Sequence, residues 1–414
     1  MALSPLIQYL SSILPMMAGI LIFMTCAQSV SAESIRVLVA QEVALLEVNS
    51  DGDLAIVNEA GETRIFRSPI HVSSRADGLH IDSRRLVGGQ IVIRPLRNNL
   101  SLIMTQAAAT RPGSSAHSGV AITQGPLLSV SGVVRVSRKG DRLSIVNQVD
   151  LEEYVKGVVP SEVSSAWHSE MLKVQAVAAR TYALYNKMLS AAREYDVMST
   201  IQDQVYRGRS GVDHRVEEAV ESTRGIVVTH LRAPIYAAFS STAAGPTEDA
   251  VNVWANKDLP YLKGVECPFD IESPYYQWKA NVKMDLLEQN LRRQGFLVGT
   301  IATITPIAYS RAGRVARLRI LHSGGETVLR GEDLRKAVGY TVIPSTQFEV
   351  ESLGAEVVFT GYGAGHAVGL CQWGAKELAE LGYSYPSILQ YYYPGTELHN
   401  AALSQLMAPA IPTP

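Results

Sequence analysis

The pattern of apolar and polar positions changes character once along this chain, near Asp150. Before that point short apolar runs dominate. Ile35-Arg36-Val37-Leu38-Val39, Leu45-Leu46-Glu47-Val48, Leu54-Ala55-Ile56-Val57 and Gln90-Ile91-Val92-Ile93 alternate or cluster apolar residues as half-buried strands do. Turn formers separate them at Asp51-Gly52, Ala60-Gly61, Asp77-Gly78, Gly88-Gly89 and Lys139-Gly140-Asp141. This predicts a β-rich N-terminal region over residues 33–124, with strand signals continuing to Ile145. The small, polar stretch from Thr105 to Gly119 reads as an exposed loop or linker.

Beyond Asp150 the spacing becomes helical. Asp150, with Glu153 three residues on, is a capping box for a short helix that Gly157 and Pro160 are expected to end, which places Glu162 after a chain break. From Glu170 to Arg193, Met171, Val174, Ala178, Thr181, Tyr185 and Met188 recur at helical spacing, and the alanines at 176, 178, 179 and 183 admit close packing. This is the expected central, largely buried helix, and Arg180 sits inside it.

Later signals are shorter. They predict an acidic helix near residues 213–223, strands at 225–229 and 235–239, and a small-residue loop over 240–249. A helix follows at 284–294, stopped by Gly295, then a hairpin turn at Ser323-Gly324-Gly325-Glu326 and a capped helix over 331–339. A glycine-rich loop covers 361–370. A helix over 372–381 has Gly382 as its cap, and a last one starts at Ser384-Tyr385-Pro386 and is closed by Pro394-Gly395. Residues 401–414 read as a disordered tail. The fold class is α+β: a central alanine-rich helix packed against β-structure, preceded by the β-rich N-terminal region.

Composition narrows the function classes. With 47% hydrophobic and 18% charged residues over 414 positions, the chain is of ordinary globular type. A net charge of -2 supplies no basic field for nucleic acid and argues against a charge-driven polyanion partner; a neutral or mixed-charge polymer stays open. Residues 1–32 contain no charged side chain and end in Val30-Ser31-Ala32, the pattern of a secretory signal cleaved after Ala32. The basic n-region of such signals is missing, so an uncleaved membrane anchor is the alternative. Either reading exports the remainder, to the periplasm or cell wall. Outside this leader only Cys267 and Cys371 remain. One long-range disulfide and two buried thiols are equally compatible with them, and no four-ligand zinc pattern can be written.

Three blocks carry a resemblance to the family of stage II sporulation protein D and the amidase-enhancer LytB proteins. The first runs from Val146-Asn147 through Glu162 to Ala178-Ala179-Arg180-Thr181-Tyr182-Ala183. The second is Phe239-Ser240-Ser241-Thr242-Ala243-Ala244-Gly245-Pro246-Thr247-Glu248-Asp249 with Val253-Trp254, Leu259-Pro260-Tyr261-Leu262 and Ser273-Pro274-Tyr275-Tyr276. The third is Gly363-Ala364-Gly365-His366-Ala367-Val368-Gly369-Leu370-Cys371-Gln372-Trp373-Gly374-Ala375, ending in Tyr391-Tyr392-Tyr393-Pro394-Gly395-Thr396. Their order and joint presence over roughly 125–400 make the likeness specific.

The resemblance implies a peptidoglycan-cleaving domain over 125–400: a lytic transglycosylase acting on glycan strands whose stem peptides an amidase has removed. Its catalytic acid would be the glutamate of the Pro-x-Glu turn, here Glu162. Apolar neighbours such as Val158, Val159 and Val163 would raise its pKa. Arg180 would orient Glu162 or bind a muramyl carboxylate, or else form a buried ion pair. Gln204 and Tyr206 would hydrogen-bond and stack on sugar, although a loop tyrosine is as often packing. Ser240, Ser241, Thr242 and Gly245 would line a sugar subsite, and His366, Gln372 and Trp373 the same groove. Glu248 and Asp249 are the second carboxylate pair, which would permit hydrolysis by water if they point into the groove; the default for them is a solvated helix N-terminus. The family's usual Phe-His-Ser is Phe239-Ser240-Ser241 here, and the loop at 196–203 lacks the Cys and His ligands with which some members bind zinc. No metal and no cofactor are expected. The partners expected are glycan strands and an N-acetylmuramoyl-L-alanine amidase, with no nucleic acid, and a membrane only if the leader stays uncleaved. A non-catalytic amidase enhancer and a plain glycosidase are the competing functions.

Overall fold

The structure is a computed structural model that describes residues 33–97, 99–107, 122–125, 127–400 and 406–409. The expected leader, most of the expected linker and most of the expected tail lie outside the described residues. Those described combine strands and helices in an α+β fold.

The largest sheet is ordered, by strand, Thr63–Phe66, Leu54–Asn58, Gln90–Pro95, Val133–Lys139, Arg142–Asp150, Ser34–Asn49, Ile70–Arg75, Gly78–Ile81 and Arg84–Arg85. It runs without interruption across residue 124. The two runs at 35–39 and 45–48 are halves of one strand, Ser34–Asn49, not separate strands. Bulges between Leu38 and Ala40 and between Ala40 and Val43 bend it, with Glu42 at positive φ. Its first half pairs with Arg142–Asp150, and its second with Ile70–Arg75 on one edge and Leu100–Ala107 on the other.

Helix α1 (Leu151–Glu162) leaves this sheet directly, capped by the Asp150 carboxylate, which accepts from the amides of Glu152 and Glu153. Glu153 does not complete the box. Its carboxylate turns instead to Lys156, Arg209 and Ser131. The expected end at Gly157 and Pro160 is also corrected, because α1 runs through both and Glu162 is its last residue. A glycine and a proline cost a helix about 1 and about 3 kcal/mol. Tyr154, Val155, Val158 and Val159 are fully buried along the same helix and gain about 1.5–3 kcal/mol each, which outweighs that cost. Gly157 is there for closeness rather than termination: a Cβ on it would stand 2.6 Å from a Tyr206 ring carbon and closer still to the Gly208 carbonyl.

Helix α2 (Ser169–Leu189) is buried on nearly every side from Met171 to Tyr185 and stops before its C-cap Ser190, short of Arg193. Helix α3 (His214–Ser222) is capped by Asp213, and the short α4 (Ala250–Val253) by Asp249. The strand expected at 235–239 is reduced to Phe239–Ser240, which pairs in parallel with Leu370–Cys371.

Residues 277–362 form an insertion with a hydrophobic core of its own. Helices α5 (Met284–Arg293) and α6 (Gly331–Val338) pack there with two three-stranded sheets. One of these contains the hairpin turned at Ser323-Gly324. Helices α7 (Gln372–Glu380) and α8 (Tyr385–Tyr392) return the chain to α2. Among the described residues no helix is long and apolar enough to cross a membrane.

Candidate functional site

Glu162 occupies the last position of α1, where the chain turns into extended backbone at Val163. Its Oε1 accepts a 2.7 Å hydrogen bond from the Val205 amide, and no donor among the described residues reaches Oε2. Burial pushes the Glu162 carboxyl up to about 7, against the opposing effects of the Val205 amide and the Arg207 charge. An acid of this kind exchanges its proton near neutral pH, with both forms populated.

The loop carrying Val205 is held from both sides. Asp203 accepts from the Tyr182 hydroxyl at 2.7 Å and from the Met198 amide at 2.8 Å. Gln204 is fully buried and accepts from the Tyr154 hydroxyl at 3.0 Å, while its Nε2 has no hydrogen-bond partner among the described residues. Tyr206 packs against Tyr154 with ring centroids 5.2 Å apart, and its hydroxyl donates to Asn147 Oδ1. Tyr206 is 4% exposed, so it stacks on protein and not on sugar. These side chains fix the backbone that holds Glu162.

Arg180 is corrected likewise. It is fully buried, and its guanidinium holds Glu152 bidentately, with Nε 2.9 Å from Oε1 and Nη2 2.6 Å from Oε2. The remaining donors go to the carbonyls of Ile226 and Val220. Of the two roles open to it, the structure assigns the buried ion pair. Arg180 does not touch Glu162.

The second and third blocks are joined to each other. Ser240 Oγ accepts from the Ala367 amide, Thr242 bridges to Ala364, the Trp373 amide donates to the Ser241 carbonyl, and the Glu248 amide donates to the Ala367 carbonyl. Thr242 is fully buried with its hydroxyl 2.6 Å from that of Ser273, so it cannot line an open subsite. Ser240, 8% exposed and bonded to the neighbouring block, is structural as well. Ser241 is half-buried, its hydroxyl 3.2 Å from that of Thr242, and Gly245 lies in the left-handed region with open space where a Cβ would be. Of the four subsite residues expected on this loop, these two remain accessible.

His366 Nδ1 accepts from the Val368 amide, and the ring is also hydrogen-bonded to the Phe239 backbone. Burial, with the charges of Arg335 and Arg314, pushes it down to about 3, so it is neutral and cannot serve as a cationic group. Gln372 is buried and donates to Gln175 of α2 at 3.3 Å. Neither of the carboxylates at 248 and 249 is free. Glu248 is buried and bonded to Asn252 and Ser310, and Asp249 caps α4 and pairs with Lys263.

Two aromatic contacts connect these blocks with the surroundings of Glu162. Trp167, on the segment just after Glu162, meets Trp373 edge-on at 5.0 Å. A chain of rings also runs from Tyr182, the partner of Asp203, through Tyr236 and Trp254 to His366, at 5.4, 5.5 and 4.9 Å. Lys257 stands over this chain, its ammonium 4.0 Å from the Tyr236 ring centroid, and burial lowers its pKa. Sequence reasoning missed Asp203, Tyr236, Lys257 and Arg207. Position beside Gln204-Val205-Tyr206 or beside Trp254 was the signal that could have found three of them; nothing local marks Tyr236. The insertion supplies another missed residue, the buried Arg314, which donates to the Ala243 carbonyl at 2.6 Å.

Comparison with known proteins gives a family match over the first block and a separate domain match over the insertion. Residues 139–230 match the family described as stage II sporulation protein, and residues 267–369 match a domain of unknown function. The stage II sporulation protein D of Bacillus subtilis is 33% identical over 271 residues, covering 62% of this chain and 76% of its own. An uncharacterised protein of Brachyspira hyodysenteriae is 33% identical over 262 residues, 62% of this chain and 69% of its own. The amidase enhancer of Bacillus subtilis is 30% identical over 289 residues, 59% of this chain but 40% of its own length.

Proposed function

Because the chain belongs to the stage II sporulation protein D family, we propose that it acts on the cell wall as a lytic transglycosylase with Glu162 as its single acid and base. The observation that carries this reading is the Glu162 carboxyl, half-buried at the end of α1, pushed up to about 7 and, among the described residues, left with one unbonded oxygen.

The chemistry needs no second carboxylate. Protonated Glu162 donates to the glycosidic oxygen between N-acetylmuramic acid and N-acetylglucosamine as that C1–O bond breaks and an oxocarbenium-like centre develops. The resulting carboxylate then takes the proton from the muramic acid's own C6 hydroxyl while O6 bonds to C1. The products are a 1,6-anhydromuramic end and a free N-acetylglucosamine hydroxyl, and Glu162 is again protonated. The occupied states of Glu248 and Asp249 favour this over hydrolysis.

The glycan would lie along the wall formed by Ser241, Gly245 and the rings of Trp254 and Trp373, with Lys257 available to an acidic group of the strand. The test is digestion of amidase-treated peptidoglycan by the purified protein, followed by mass spectrometry. Anhydromuramic ends that vanish in Glu162→Gln support the reading; reducing ends indicate hydrolysis. A second reading rests on the amidase enhancer among the relatives: no cleavage, with stimulation of an N-acetylmuramoyl-L-alanine amidase, would make the protein a wall-bound modifier. Either activity lies outside the cytoplasm.

A further inference from the structure

We propose that Cys267 and Cys371 form a disulfide bond in the exported protein, and that this bond ties together the two points where the insertion leaves and rejoins the site-bearing part of the fold. Both cysteines are 1% exposed. Their sulfurs and an Asp270 carboxylate oxygen all lie within 4.8 Å of one another. Residues far apart in sequence are therefore already in the contact from which a cross-link forms.

The same three side chains also have the composition of a metal site, but the surroundings favour the covalent bond. Asp270 Oδ2 is engaged by the amides of Ala243 and Ala244, each at 2.8 Å, and by the Cys371 thiol at 3.2 Å. The Cys267 sulfur lies 3.2 Å from the Tyr392 hydroxyl, and no fourth His, Cys, Asp or Glu joins the group among the described residues. A closed structural dication site takes four protein ligands; this group offers three, and its carboxylate oxygen is already held by two backbone amides. A disulfide leaves two neutral sulfurs and asks nothing of Asp270 beyond its two amide donors.

The consequence is architectural. Cys267 precedes the insertion at 277–362, and Cys371 follows it on the strand that pairs with Phe239–Ser240. The bond closes a ring containing the whole insertion, including Arg314 and Gln347, whose side chains donate to the carbonyls of Ala243 and Ala244. Cross-linking restricts the unfolded chain over this long ring and fixes the 240–248 loop against the third block. The step is a two-electron oxidation. Each thiol loses a proton, the S–S bond forms, and the electrons pass to a disulfide of the exported compartment, which is reduced to two thiols.

The test uses the full chain recovered from an exported preparation, denatured without reductant and treated with an alkylating agent before mass spectrometry. The expected result is no alkylation at Cys267 or Cys371 until a reductant is added, then two additions, with a peptide linking 267 and 371 in the unreduced digest. Reductant should also lower the melting temperature of the wild type and not that of Cys267→Ala/Cys371→Ala. Two thiols that alkylate without reductant overturn the proposal, as does a stoichiometric metal ion released on denaturation. The result is independent of glycan cleavage, so its failure leaves the Glu162 reading standing.

Discussion

The Val205 amide points at Glu162 and donates to Oε1 at 2.7 Å, joining the end of α1 to a loop more than forty residues further along the chain. That one bond orients the carboxyl while burial raises its pKa. If Glu162 is the acid, Glu162→Gln preserves the Oε1 acceptor and the shape of the side chain but removes the transferable proton. Glycan cleavage should fall by about 10²–10⁴-fold or more, with circular dichroism unchanged. Undiminished cleavage by this variant would rule the assignment out.

The same substitution has a stability signature of definite sign. The Glu162 pKa is raised from 4.5 to about 7 in the folded protein. Below pH 4.5 both states are protonated and the group is neutral in its effect. Between about 4.5 and about 7 the unfolded chain ionises while the folded one holds its proton, so wild-type stability falls as pH rises, by up to about 3 kcal/mol in all. Glu162→Gln should therefore unfold at higher denaturant than wild type at pH 8, with the difference shrinking toward pH 4. A pH-independent difference would show that Glu162 is not desolvated.

Activity should follow the opposite limb. Only the protonated acid starts the reaction, so kcat/KM for glycan cleavage should decline above pH 7 with an apparent pKa near that of Glu162. A rate still rising at pH 9 would exclude Glu162 as the proton donor.

Arg180→Ala should destabilise the protein by about 3–5 kcal/mol, because it leaves Glu152 charged and buried without its bidentate partner. Arg180→Met combined with Glu152→Leu should recover much of that loss in thermal melts. A glycan-contact role would predict the reverse: normal stability with raised KM.

Gly157→Ala should cost about 1–3 kcal/mol or more by overpacking, since the new methyl meets the Tyr206 ring and the Gly208 carbonyl. The displaced loop also carries Val205, so cleavage should fall further than the loss of folded protein accounts for. Active-site titration against a stability-matched variant elsewhere separates the two effects.

What the sequence determined by itself was local. Asp150 caps its helix, Gly295 stops another, and Ser323-Gly324 turns its hairpin, because each depends on a few neighbouring residues. The three blocks also placed the chain in its family. Tertiary structure decided the points where a distant partner overrides the local signal. Helix α1 passes through Gly157 and Pro160 because its apolar face is buried and Tyr206 needs the space a glycine leaves. Two strand signals became one bent strand because its halves pair with different neighbours. Arg180, Tyr206 and Thr242 carry polar groups suited to a ligand, yet each found its hydrogen-bond partner inside the protein, in Glu152, Asn147 and Ser273. For Glu162, the Pro-x-Glu motif and the apolar neighbours named the residue and the direction of its pKa. Only the fold brought the Val205 amide to one oxygen and left the other unbonded, because partners and solvent are set by chain segments that meet only on folding.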